Sequence, residues 1–120
     1  MIKTARWAPI HSLVVISDPI GGAIPSHFVD IVTATESCIV VLCYAEVDGE
    51  TEFTLGKASE VDPGKPPTFS GQLLTPSRKI IVHTTEFKTI LDAPTIGVTT
   101  PVRFWARDTE WPEKVIIGLE

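Results

Sequence analysis

Cysteine is scarce in this chain, and long apolar runs are missing altogether. Each absence removes a class of protein. The two cysteines, Cys38 and Cys43, lie in one apolar run. Five strand residues span roughly 16 Å and turn these two side chains to opposite faces. A disulfide needs Cα atoms within about 7 Å, so two free thiols in a reducing compartment are expected. The pair also lacks the two-residue spacing and helix start of redox cysteines. No apolar stretch reaches the roughly 18 residues of a membrane helix. Leu13 to Ile16 is too short for a signal-peptide core, and a cytoplasmic protein with no membrane contact is expected.

Catalytic signatures are missing as well. The three histidines, His11, His27 and His83, include no pair two residues apart on one strand, the usual start of a β-fold metal site. His83 lies between Val82 and Thr84 inside a strand and reads as a plain strand histidine. Gly21-Gly22 lacks the Gly-Lys-Ser/Thr and following helix of a phosphate loop. There is no Gly-x-Ser-x-Gly elbow. Glu50 with Glu52, Glu60 with Asp62, and Asp108 with Glu110 are carboxylate pairs that share a face of an extended chain. That spacing permits acid/base work, but it equally describes an exposed hairpin. No ligand run has the spacing of a dedicated calcium loop. We assign no catalytic residue, no metal ligand and no cofactor.

What is present is strand chemistry. Ten prolines and eight glycines in 120 residues demand many turns, and 43% hydrophobic residues suffice for a core. The stretch Arg78 to Arg107 is rich in β-branched and aromatic residues, with no helical period. Strands are predicted over 11–17, 27–34, 38–47, 51–55, 68–74, 78–84, 86–91, 102–107 and 114–120. The 78–84 and 86–91 segments read equally as one bent strand. The run from Cys38 is apolar on both faces until Tyr44, as in a central strand covered on both sides. Asp48-Gly49 is the strongest hairpin signal and would join 38–47 to 51–55. Residues 1–10 read as an extended arm and 56–67 as the longest loop. The prediction is one all-β domain over 1–120, a mainly antiparallel two-sheet β-sandwich of eight or nine strands with little or no helix. A β-barrel is the alternative.

Charge is concentrated rather than large. From Cys43 to Asp62 six acids stand against one base, a net of −5, which equals the charge of the whole chain. The other nine acids and nine bases cancel. An acidic patch of this kind repels nucleic acid and attracts a basic protein. The predicted partner-binding residues are Glu46, Asp48, Glu50, Glu52, Glu60 and Asp62, with Glu110 and Trp111 from a second acidic loop. A tryptophan among acids and a proline suits an interface anchor, although packing over the sandwich end is the ordinary alternative. Arg103, Trp105 and Arg107 share one strand face and have the form of a stacking platform. An acidic protein makes nucleic acid an improbable ligand for it.

Three segments of the second half carry a family resemblance: Ile90-Leu-Asp-Ala-Pro94, Val102-Arg-Phe-Trp-Ala106 and Val115-Ile-Ile-Gly-Leu119. The order of strand, Leu-Asp-x-Pro-like turn, strand with tryptophan, loop and apolar final strand resembles the small competence-associated inhibitors of DNA-entry nucleases, over roughly a third of the chain. The resemblance implies a protein inhibitor that binds a nuclease and performs no chemistry, with the acidic hairpin mimicking nucleic acid. The sequence thus favours a non-enzymatic binding module. Its alternatives are a homo-oligomer paired through an open edge strand such as Lys114–Glu120, and an enzyme that binds a small molecule or a metal.

Overall fold

The computed structural model describes residues 2–8, 13–22, 24–25, 31–42, 49–106 and 113–120. In chain order its strands are β1 (Lys3–Trp7), β2 (Leu13–Ser17), β3 (Val32–Ala34), β4 (Cys38–Leu42), β5 (Thr51–Lys57), β6 (Phe69–Leu74), β7 (Lys79–His83), β8 (Thr89–Pro94), β9 (Thr99–Ala106) and β10 (Lys114–Leu119). One short helix, α1 (Ala58–Val61), follows β5. The strands form two open five-stranded sheets, ordered β1-β5-β10-β9-β6 and β3-β4-β2-β7-β8. Among the described residues only β5 and β10 pair in parallel. The fold is therefore an all-β sandwich and not a barrel.

Alternation builds the core. Phe53, Leu55, Val102, Phe104, Val115 and Ile117 point inward from the first sheet; Val14, Ile16, Ile39, Val41, Ile80 and Val82 meet them from the second. Each fully buried side chain of this kind contributes about 1.5–3 kcal/mol. The second sheet is apolar on its other face too, where Leu13, Val15, Cys38 and Val40 are also buried. The doubly apolar β4 sits as expected between two neighbours, β3 and β2.

Three sequence expectations change and one open alternative is decided. The 38–47 and 51–55 segments do not form a hairpin, because β4 and β5 belong to opposite sheets. Both edges of β5 are occupied, by β1 and β10, and Phe53 faces the same core as Ile39 from the other side. Gly49 does adopt φ +109, but the strands before and after it lie in different sheets. Lys114–Glu120 is not an edge: β10 lies between β5 and β9, so pairing with a copy through it is closed. The arm over 1–10 contains β1, paired to β5 from Lys3 to Trp7. The stretch after Arg78 is two strands, joined by a turn in which the Thr84 hydroxyl accepts from the Glu86 and Lys88 amides.

One side of the sandwich is closed by charge. Lys3 Nζ on β1 donates to the Asp92 carbonyl on β8 at 2.7 Å and reaches Asp92 Oδ1 at 3.2 Å. Lys79 Nζ stands 3.6 Å from the other carboxylate oxygen. Nearby, Lys88 Nζ lies 4.2 Å from the centre of the Trp7 ring. No helix among the described residues is long and apolar enough to cross a membrane.

Candidate partner-binding surface

On β5, Phe53 and Leu55 take the core face, which leaves Glu52 and Thr54 outside. Glu52 Oε2 accepts from Arg6 Nη2 of the neighbouring strand at 3.0 Å, so part of its charge is already compensated. Glu50 stands exposed just before the strand. At the far end α1 carries exposed Glu60. Asp62 follows, with Oδ1 accepting from the Gly64 amide at 2.7 Å and Oδ2 at 4.0 Å from Arg103 Nη1. Six residue steps of strand cover roughly 20 Å. The predicted acids are therefore two groups at opposite ends of β5, Glu50 and Glu52 at one and Glu60 and Asp62 at the other. Glu46, Asp48, Glu110 and Trp111 lie outside the described residues, as do His11, His27, Cys43 and Arg107.

The stacking platform is not available. Trp105 is only 6% exposed. Its Nε1 donates to the Lys65 carbonyl at 2.8 Å. Gly118 on β10 makes room for this arrangement, since a Cβ there would stand 2.9 Å from Ala58 Cα and 3.2 Å from the Trp105 ring. The segment after β5 folds over the indole, and the expected long loop is thus partly a helical cover. Arg103 donates to Glu120 at 2.8 Å.

His83 is buried on the second sheet, 4% exposed. Its Nδ1 is 2.9 Å from the Thr84 carbonyl and its Nε2 3.4 Å from Ser17 Oγ. The Ser17 hydroxyl also lies within reach of the Asp18 carbonyl, at 3.1 Å. A carbonyl orients this histidine, and among the described residues no carboxylate is hydrogen-bonded to it as the third member of a nucleophilic triad would be. Phe87 stacks on the imidazole at 5.5 Å and 13°. Its φ is +66° and it is 75% exposed. Beside it Leu13, Val15 and Val40 line an apolar cavity of about 250 Å³.

Two aspartates that sequence reasoning passed over are structural anchors. Asp18, 1% exposed, accepts from the Ile20 amide at 3.0 Å and the Ser77 amide at 2.7 Å. Burial opposes its charge, but hydrogen bonds from Ile20 and Ser77 outweigh burial and hold the carboxyl below the usual aspartate value. Asp92 is also lowered, first by its hydrogen bond from Lys3 and then by Lys79. Burial pushes the free thiol of Cys38 up to about 11. The Asp18-Pro-Ile-Gly sequence carried a legible Asx-turn signal; nothing local marked the partners of Asp92. Among the described residues no cluster of three or more histidine, cysteine or acidic side chains is placed to hold a metal ion.

The class defined by these features is an open two-sheet sandwich of mixed surface charge. Solved structures with this fold include ComJ, the inhibitor of the DNA-degrading activity of NucA, from Bacillus subtilis. It matches with a TM-score of 0.72 at 11% identity, covering 99% of this chain and 97% of that one. A second is the crocagin biosynthetic gene J protein, with a TM-score of 0.51 at 12% identity and the same two coverages. The chain matches no protein-family model and no curated protein sequence.

Proposed function

We propose that this protein is a non-enzymatic protein-binding module that inhibits a basic partner, a nuclease in particular. The observation that carries the reading is the end-to-end likeness of fold to a nuclease inhibitor, over 99% of this chain and 97% of ComJ. The charge distribution supports it. The whole surplus of −5 lies between Cys43 and Asp62, a segment that contains β5 and the acids at both its ends. Negative charge concentrated at the two ends of β5 raises the association rate with a basic surface and keeps nucleic acid away. In this reading Glu46, Asp48, Glu50, Glu52, Glu60 and Asp62, with Glu110 and Trp111, contact the partner. The protein works in the cytoplasm as a single domain and needs no cofactor.

The test is charge reversal at Glu50 and Glu60, two exposed acids at opposite ends of β5. Their replacement by lysine slows association with the partner by roughly tenfold at low salt and flattens the salt dependence of the rate. Stopped-flow or surface-plasmon kinetics reads both. An unchanged rate would remove the acidic segment from the interface.

A further inference from the structure

At one end of the sandwich a cleft of about 710 Å³ opens between the end of β5 with α1 and the turn after β8. It reaches the core: Leu55, fully buried, and Leu119 form part of its wall. Ala93, Pro94 and Ile96 form the opposite wall. Ile96 is left 92% exposed at the lip. The volume falls within the range of about 300–1,000 Å³ that small-molecule sites occupy, and the composition matches too, an apolar lining with a few charged groups.

The charges on the rim define the ligand. Lys3 is committed to Asp92. Arg103 is committed to Glu120 at 2.8 Å and stands 4.0 Å from Asp62. Lys57, the third cation of the rim, has no carboxylate partner among the described residues. Lys57 is thus the rim cation without an ion pair among the described residues, beside an apolar wall, while Arg103 is shared between two acids and the charges of the rim with Asp92 sum to zero. A ligand with several negative charges would meet Asp62 and Glu120. A cation would find both acids already engaged and Lys57 repelling it. We infer that this cleft binds a small amphipathic monoanion, an alkyl or aryl carboxylate whose apolar body lies against Ala93, Ile96 and Leu119 and whose carboxylate pairs with Lys57. The inference does not rest on the inhibitor reading, although the two surfaces meet at Asp62, which stands on this rim and is also among the acids assigned to the partner.

Decanoate is the probe and decanol its uncharged control, each titrated into the ¹⁵N-labelled full chain and followed by amide chemical shifts. Decanoate should move the amides of Lys57, Ser59, Ala93, Thr95 and Ile96 in a saturable way. Decanol should bind about tenfold more weakly, one lost ion pair in a partly desolvated site. Lys57→Glu should weaken decanoate by a similar factor, leave decanol unchanged and leave the remaining amide spectrum folded. Ile96→Asp, at an exposed position, should weaken both ligands. Three results would each overturn the proposal: no saturable shift, shifts centred instead on the Leu13, Val15 and Phe87 cavity, or equal affinity of the native and Lys57→Glu proteins for decanoate.

Discussion

Asp18→Asn replaces one oxygen with an amide nitrogen in a site built for two acceptors. Asp18 Oδ1 takes the Ile20 amide and Oδ2 takes the Ser77 amide, at 3.0 and 2.7 Å, with the residue 1% exposed. Asparagine keeps one acceptor and turns a donor toward the other N–H. A charge-assisted bond contributes about 1.5–3 kcal/mol, and a buried donor left unpaired costs about 1–3 kcal/mol. A net loss of about 2–3 kcal/mol is expected. At roughly 2.1 cal/mol/K per residue, unfolding entropy for 120 residues is about 0.25 kcal/mol/K. The loss therefore appears as a fall in Tm of about 8–12 °C. The pH dependence gives a second constraint. The folded carboxyl lies below its ordinary value, so its contribution is fully present above the unfolded aspartate value of about 3.9. It is lost as pH falls through the folded value. Urea unfolding of both proteins at neutral pH and at stepwise lower pH should show a gap that is widest near neutrality and closes in acid. A gap that stays constant with pH, or one below about 0.5 kcal/mol at neutrality, would refute the reasoning.

Other consequences follow from packing and exposure. Gly118→Val places atoms where a Cβ alone would stand 2.9 Å from Ala58 Cα; overpacking of this kind costs about 1–3 kcal/mol, read by urea midpoint, with α1 lifted from the Trp105 ring. Thr51 Oγ1 is buried with no hydrogen-bond partner among the described residues, so Thr51→Val should be neutral or stabilising by up to about 1 kcal/mol in the same assay. Cys38, with its thiol near 11 and its side chain buried, should resist thiol reagents in the native protein at pH 8 and react once urea unfolds the chain. Rapid native labelling at Cys38, mapped by mass spectrometry, would contradict this.

The sandwich was legible because its strands announce themselves singly. Val102, Phe104 and Ala106 alternate with Arg103 and Trp105, and that period of two survives folding. The apolar run at Cys38 announced an interior strand for the same reason. Partnership between strands was not legible. Asp48-Gly49 carries hairpin chemistry, yet the strands on either side go to different sheets. The deciding facts are the registers of β5 with Lys3–Trp7 and with Lys114–Leu119, about fifty and sixty residues away. The site was read less well. Counting charges located the acidic segment, but the Arg6 guanidinium that pairs with Glu52 sits in what read as an extended arm. Trp105 looked like an exposed platform because Arg103 flanks it, whereas the cover comes from the segment after β5 and the carbonyl of Lys65. The cleft has no local signal at all, being assembled from strand ends brought together by the whole topology.

The central claim is that this fold inhibits a basic partner by binding it. The most direct measurement is affinity capture on the immobilised full chain from a lysate of its source, at about 0.05 M and about 0.5 M salt, followed by a plasmid-degradation assay on the captured protein with this chain titrated back. The account predicts one basic nuclease, retained at low salt and released at high salt, whose DNA degradation falls to zero near equimolar inhibitor. Capture of only further copies of this chain, or a captured nuclease that degrades DNA undiminished in its presence, would contradict it.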